Sequence, residues 1–392
     1  MRWGLILAIE LALAGSVLIC RTASAEDCQI KIGMVGPMTG GAATYGLAEK
    51  AATEFEAAWT NANGGLQVGG RKCQVSVVSY DSQATAAGGA AGSNYMASQG
   101  IFAIIGPIPS PEVTGFKPVS KRHNQVNMSS SYASDVIGPE FPLAFNLDVP
   151  PPVWGTQVVK AAKERYKMQS VIIVGPNDQG GTDAGKALLN AYTEAGIKVS
   201  SEWYQRGTAN FAPIVARLMS SDSAAIELGP MGPGEAAILA KQLLEAGYAG
   251  VLGRTGSGGN EIIKGVGGIS KLKTFYYFDH VPLQDPGILR CNADFQRLTK
   301  TAVPENTLFY SAQIGAEILL KAIARAGTDQ DGAKIAAELR KMTPESRYLG
   351  KGGWRGRAQY GSNQLLVVPG GLSFVTNGKA DGEMRIEIAS EP

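Results

Sequence analysis

Histidine is scarce. His123 and His280 are the only two in 392 residues, and they stand far apart with no ligand-like spacing. A zinc site or a Ser-His nucleophile therefore lacks its usual parts, and no G-x-S-x-G elbow occurs. With no acid–base constellation, the chain does not read as an enzyme, and no metal or cofactor is called for. An excess of one charge is missing too. The 36 basic residues nearly match the 34 acidic ones, and no basic run stands out, so there is no footprint for nucleic acid or an anionic membrane surface. Beyond the first 25 residues no apolar run is long enough to span a bilayer.

Glycine, by contrast, is plentiful. Its 50 residues follow no fixed period, which argues for many tight turns and against collagen or disorder. Two Gly-rich stretches come close to nucleotide-binding motifs and fail. Gly180–Lys186 nearly spells a phosphate loop, but Ala187 stands where a magnesium-binding hydroxyl is needed and Asp183 would put a negative charge in the cradle. Gly256-Ser257-Gly258-Gly259 does not satisfy G-x-G-x-x-G and reads as a flexible turn.

The first residues follow the grammar of secretion. Arg2 precedes an apolar run from Leu5 to Ile19, interrupted by Glu10, and Thr22-Ala23-Ser24-Ala25 supplies small residues for cleavage before Glu26. Residues 1–25 are thus expected to be a cleaved signal peptide, delivering the chain to the periplasm. Three cysteines remain after it. Cys28 and Cys73 each open a strand-like segment, CQIKIGMVG and CQVSVVSYD. If those strands are parallel neighbours, both cysteines lie at one end of the sheet within bridging reach, and an oxidising compartment favours the bond. Two buried free thiols are the alternative. Cys291 is left over and is expected to be shielded.

From Ile30 onward, short apolar runs bounded by Gly and Pro alternate with helical patterns. This is the signature of βαβ units and a doubly wound parallel sheet. Pro150-Pro151-Pro152 breaks the alternation, which then restarts as a second unit of similar size. After a strand at Thr274–Phe278, three helical stretches suggest a return to the first unit, and the end is strand-like and Gly-punctuated. The expected architecture is α/β, with two Rossmann-like lobes: residues 26–147 with 280–345, and 148–279 with 346–392. Two lobes joined by several crossovers leave a cleft that closes on a ligand as a hinge. The loops beyond the strand ends are rich in Gly, Ser and Pro and poor in titratable groups. They offer backbone N–H groups, helix N-termini and hydroxyls to a small polar ligand. Ser110, ahead of Pro111-Glu112, also reads as a helix N-cap.

An ordered set of motifs spans nearly the whole mature chain: Gly36-Pro37-x-Thr39-Gly40, Tyr45-Gly46, Asn61-x-Asn63-Gly64-Gly65, Tyr80-Asp81, Ile105-Gly106-Pro107-x-x-Ser110, Phe211 with its helix, and Ala240–Gly247. In these the chain resembles the type I periplasmic binding proteins, specifically the branched-chain (hydrophobic) amino-acid-binding family that feeds ABC transporters. The resemblance implies three hinge crossings, an amino acid held in the cleft, permease transmembrane subunits as partners and a monomeric receptor. A periplasmic sensor of the same fold is the alternative. Carried over by residue, Ser110 matches the serine on the ligand carboxylate. Ser130, Ser131 and Tyr132 fall where a backbone carbonyl and a hydroxyl hold the ligand, and Tyr45 matches an aromatic at the mouth.

The departures carry information. Thr255 stands where the family has an acid for the α-amino group, and Gly180 and Met231 replace two tyrosines of the second lobe. A neutral threonine cannot offset the desolvation of an ammonium group, and loss of a tyrosine should enlarge the pocket. The expected ligand is therefore not a simple aliphatic amino acid but a larger molecule, a related amide or a carboxylate lacking the amino group. Arg254 is its candidate counter-ion, a solvated surface charge being the other fate for that side chain.

Overall fold

The computed structural model describes residues 28–391; the expected signal peptide, 1–25, lies outside them. The first unit runs β1 (Gln29–Gly36), α1 (Ala43–Ala62), β2 (Leu66–Val68), β3 (Arg71–Asp81), α2 (Ala86–Ser98), β4 (Ala103–Ile105), α3 (Ser110–Arg122), β5 (Val126–Ser129) and β6 (Ala144–Asn146). The second runs α4 (Pro151–Tyr166), β7 (Ser170–Pro176), α5 (Gln179–Glu194), β8 (Lys198–Tyr204), α6 (Ala212–Met219), β9 (Ala225–Glu227), α7 (Pro233–Glu245), β10 (Val251–Thr255), α8 (Gly259–Gly265) and β11 (Thr274–Asp279). The chain then adds α9 (Pro286–Thr299), α10 (Leu308–Ala326) and α11 (Gly332–Lys341). It closes with β12 (Glu345–Ser346), β13 (Gly350–Lys351), β14 (Gly353–Arg355), α12 (Arg357–Tyr360), β15 (Leu365–Val367), β16 (Gly370–Thr376) and β17 (Lys379–Ile386).

Two sheets organise these elements, ordered β14-β15-β6-β5-β4-β1-β3-β2 and β17-β16-β11-β10-β9-β7-β8. Their inner strands are parallel, β1 pairing with β3 from Gln29↔Gln74 to Gly36↔Asp81. Such strands are covered on both faces, which is why they read as unbroken apolar runs. One face of the first sheet packs Ile32, Ile105 and Met128 with Phe55 of α1 and Phe309 of α10; Val35 and Ile104 meet Met96 and Phe116 on the other. In the second lobe Trp154 of α4 stacks on Phe278 of β11 with ring centroids 4.3 Å apart. Cys28 and Cys73 are joined by a disulfide, and Cys291 is a free thiol inside the first core.

The boundary expected at residue 346 is displaced. β14 and β15 extend the first sheet past β6, with Leu365 opposite Asn146, and only β16 and β17 join the second sheet. The cause is local burial: Trp354 packs on Phe145 with centroids 5.2 Å apart, and its indole N–H donates to the Met342 carbonyl at 3.1 Å. The chain thus passes between lobes at 147–150, 280–285 and 368–369. At the first passage Pro151 and Pro152 occupy the opening turn of α4, where a missing N–H costs nothing. The Trp154 indole ties that turn to the Val149 carbonyl at 2.7 Å.

Glycine matters most where β1 and β4 end. Gly106 has φ +94°, and a Cβ there would fall 2.0 Å from the Val35 carbonyl oxygen. Only glycine accepts both conditions, and this turn sends the chain to Ser110.

Candidate functional site

A cavity enclosing about 60 Å³ lies between the lobes, beyond the carboxyl ends of both sheets. At roughly 10–15 Å³ per water, that is room for a small molecule and not for a peptide. Tyr45, Ser110, Ser130, Ser131, Tyr132, Gly180 and Arg254 all line it. Sequence reasoning missed Asp148 and Arg206 in the lining, together with Ser257 and Leu308. The lobes are closed over it. Gln179 of α5 accepts from the Thr114 hydroxyl at 2.8 Å and donates to Asp135 at 2.9 Å. On the opposite flank Lys264 meets Glu305 at 2.7 Å, and Asn306 donates to Glu261 at 2.8 Å.

The first lobe contributes hydroxyls. Ser110 opens α3, but the N-cap is Pro109 and no side chain caps the helix. The Ser110 hydroxyl is instead 2.8 Å from that of Ser131, so the expected capping role gives way to a hydroxyl pair at a helix N-terminus. Asn146 fixes the neighbouring backbone, accepting from Ser131 N at 3.2 Å and donating to the carbonyls of Ser131 and Asp148 at 3.0 and 2.7 Å. Beneath, the Ser130 hydroxyl donates to Glu49, whose carboxyl is driven up to about 8 by burial, with the Asp148 charge adding to the effect.

The second lobe contributes Arg254, and it is no surface charge: the residue is 1% exposed. Its guanidinium donates to the carbonyls of Leu228 (2.6 Å), Gly229 (3.1 Å), Met231 (2.8 Å) and Ser257 (2.6 and 3.0 Å), and to the Tyr45 hydroxyl across the cleft at 3.3 Å. Burial works against this charge, but the neighbouring Tyr45 and Tyr132, with the Glu261 carboxylate, outweigh it and keep the guanidinium above its ordinary range. No carboxylate of the described residues stands within ion-pair distance of Arg254. The segment 256–259, expected to be a flexible turn, is pinned through the Ser257 carbonyl and leads into α8.

Three further expectations are corrected by packing. Thr255 does not reach the cavity; its N–H and hydroxyl both bond Glu227 Oε1 at 2.9 Å. Glu227 also accepts from Tyr192 (2.6 Å), Tyr276 (2.8 Å) and Gly229 N (2.6 Å), so this acid is saturated within the lobe. Met231 is buried and offers the site only its carbonyl, which accepts from Tyr45 at 3.3 Å and from Arg254. Gly180 does not enlarge the pocket, because the second lobe moves into the space: a Cβ on Gly180 would lie 2.7 Å from Ser110 Oγ. The first turn of α5 therefore faces that of α3 across the cavity. Arg206, also at the rim, is held by both oxygens of Asp178 and approaches Glu235 at 3.9 Å. Among the described residues no cluster of His, Cys, Asp and Glu is arranged to hold a metal, and no helix is long and apolar enough to cross a membrane.

Two parallel-sheet lobes, three crossings and a buried polar cleft define a type I periplasmic binding fold. The chain belongs to the periplasmic binding protein family, whose pattern it matches over residues 29–369. It is 25% identical over 322 residues to the leucine-, isoleucine-, valine-, threonine- and alanine-binding protein of Pseudomonas aeruginosa, spanning 81% of this chain and 83% of that one. In structure it is similar to a leucine-binding protein from Thermotoga maritima, with a TM-score of 0.76 at 20% identity over 91% of this chain and 98% of the other. A solute-binding protein of an R. palustris ABC transporter, solved with 4-hydroxybenzoate, gives a TM-score of 0.76 at 20% identity over 92% and 97% of the two chains. Membership implies a periplasmic or extracellular location.

Proposed function

We propose that this protein is the soluble receptor of an ABC importer and captures a small carboxylate, not a simple aliphatic amino acid, by closing its lobes around it. One observation carries this reading: Arg254 is a buried cation facing the cavity whose partners are all neutral. Glu261 acts on it only from beyond ion-pair distance, and a buried charge with no counter-charge in contact favours an anion that can make that contact. The N-terminal turns of α3 and α5 both line the same space and add favourable potential for an anion. Thr255 is neutral and spent on Glu227, and the acid that does line the cavity, Asp148, is already in contact with His280 at 2.5 Å. The relative solved with 4-hydroxybenzoate supports the capacity of this fold for acids without an α-amino group.

The reading is tested by calorimetry with purified protein against aliphatic amino acids, their deaminated acids, aromatic acids and the matching amides. Carboxylates bind and amides of the same shape do not. Tight binding of leucine, or of amides in preference to acids, would overturn it.

A further inference from the structure

Asp148, His280 and Tyr132 converge at the cavity from three separate stretches of chain. Asp148 lies on the first passage between lobes, His280 on the second, and Tyr132 on the loop after β5. His280 Nε2 stands 2.5 Å from Asp148 Oδ1 and 3.0 Å from the Tyr132 hydroxyl. Tyr132 and Asp148 line the cavity, and Asp148 is 8% exposed. His280 is the one polar side-chain contact of Asp148 Oδ1 among the described residues, and His280 Nδ1 has no partner. A buried carboxylate oxygen with a single partner keeps acceptor capacity for a ligand.

We infer that Asp148, with Tyr132 and His280, forms a second polar subsite that takes a hydroxyl group of the ligand, so that the substrate class is a hydroxycarboxylate; this rests on the carboxylate reading above. The chemistry selects the group. Asp148 only accepts, whereas the Tyr132 hydroxyl and the imidazole N–H can donate. A ligand hydroxyl donates to Asp148 and accepts from Tyr132, whose position His280 fixes, satisfying both kinds of partner at once. An ammonium group donates only, so the Tyr132 proton would have to turn to His280 Nε2, which would then face the Asp148 carboxylate at 2.5 Å without a proton of its own. A carbonyl or amide oxygen accepts only and leaves the remaining acceptor capacity of Asp148 unused. The subsite also adjoins the anion-binding hydroxyls: the Asn146 amide nitrogen bridges the carbonyls of Asp148 and Ser131 at 2.7 and 3.0 Å. Acid and hydroxyl can therefore be read on one small molecule.

The test is titration calorimetry with two matched series, 4-methylpentanoate, its 2-hydroxy derivative and leucine, and benzoate, 4-hydroxybenzoate and 4-aminobenzoate. In at least one series the hydroxy acid binds about tenfold or more tightly than both the parent and the amino compound. In Asp148→Asn and in Tyr132→Phe that preference collapses toward unity. Equal binding of hydroxy and parent acids by the unaltered protein overturns the inference while leaving the carboxylate reading intact, and needs no variant to fold. A preference that survives Asp148→Asn also overturns it, and reduces the cluster to a hinge contact. Failure of every carboxylate in both series overturns the parent reading and this one with it.

Discussion

Gly180 and Ser110 meet across the cleft so closely that a Cβ on the glycine would sit 2.7 Å from the serine hydroxyl. Each lies in the first turn of its helix, α5 and α3, and the two turns close the cavity from opposite lobes. The contact makes residue 180 a gauge of closure. Gly180→Tyr keeps the helix but forces the lobes apart, at a cost of roughly 1–3 kcal/mol if the cleft closes anyway. Ligand affinity should fall about tenfold or more, and small-angle scattering with saturating ligand should show a larger radius of gyration than the unaltered protein. An unchanged radius would mean that closure does not bring these turns together.

Arg254 serves two roles that one substitution separates. Arg254→Met removes the cleft cation and also strips hydrogen bonds from the carbonyls of Leu228, Gly229, Met231 and Ser257. Buried acceptors left bare should cost about 3 kcal/mol of stability, read as a lowered urea midpoint. Arg254→Lys keeps the charge but cannot reach this set of carbonyls with a single ammonium. It should lose similar stability yet retain more carboxylate affinity than the methionine variant. Equal affinities in the two variants would remove Arg254's charge from the account of binding.

Much of the fold was legible because buried parallel strands announce themselves. Ile30–Val35 and Val171–Val174 are apolar runs between breakers, and the helices between them fix a doubly wound order. The three-residue strands β6 and β15 were not legible as a pair, since their pairing joins segments more than two hundred residues apart and neither run is long enough to show a period. The site divided along the same line. Tyr132 stands in the loop after β5, Ser110 opens the helix after β4 and Arg254 lies near the end of β10, places that sequence order gives. Asp148 and His280 come together only because two interlobe passages run side by side. The partners of Arg254 are backbone carbonyls, which no residue type marks. Thr255 misled for a related reason: its hydroxyl is taken by Glu227 from the neighbouring strand.

Glu49 gives the stability a pH dependence of known sign. Burial lifts its carboxyl from about 4.5 to about 8, and its Oε2 is buried without a partner. The folded state therefore holds the proton more tightly than the unfolded chain. The stability this contributes is complete below about pH 4.5 and is lost as pH rises through about 8, amounting to a few kcal/mol at most. Asp279, raised to about 7 by burial, acts in the same direction. Denaturant midpoints should fall from pH 5 to pH 8.5, and Glu49→Gln should flatten that slope, since the amide retains a donor and an acceptor without a charge. A variant as pH-sensitive as the parent would show that Glu49 does not titrate in this window.

The Cys28–Cys73 bridge bears on stability and not on binding. It sits at the start of β1 and β3, whereas the cleft lies beyond their far ends. Eight residues of β1 at about 3.3 Å each put roughly 26 Å between the two. The bond closes a segment of 45 residues, and a loop of that size restricts the unfolded chain by about 4 kcal/mol on a chain-entropy estimate. Cys28→Ser with Cys73→Ser should lower the unfolding free energy by an amount of that order while calorimetric affinity for any bound carboxylate stays within about twofold. The packing of β1 against β3 along eight paired residues holds the strand ends in register without the covalent link. A loss of affinity matching the loss of stability would mean that the cleft end of β1 depends on its far end, and that the first lobe is less rigid than its two-faced core implies.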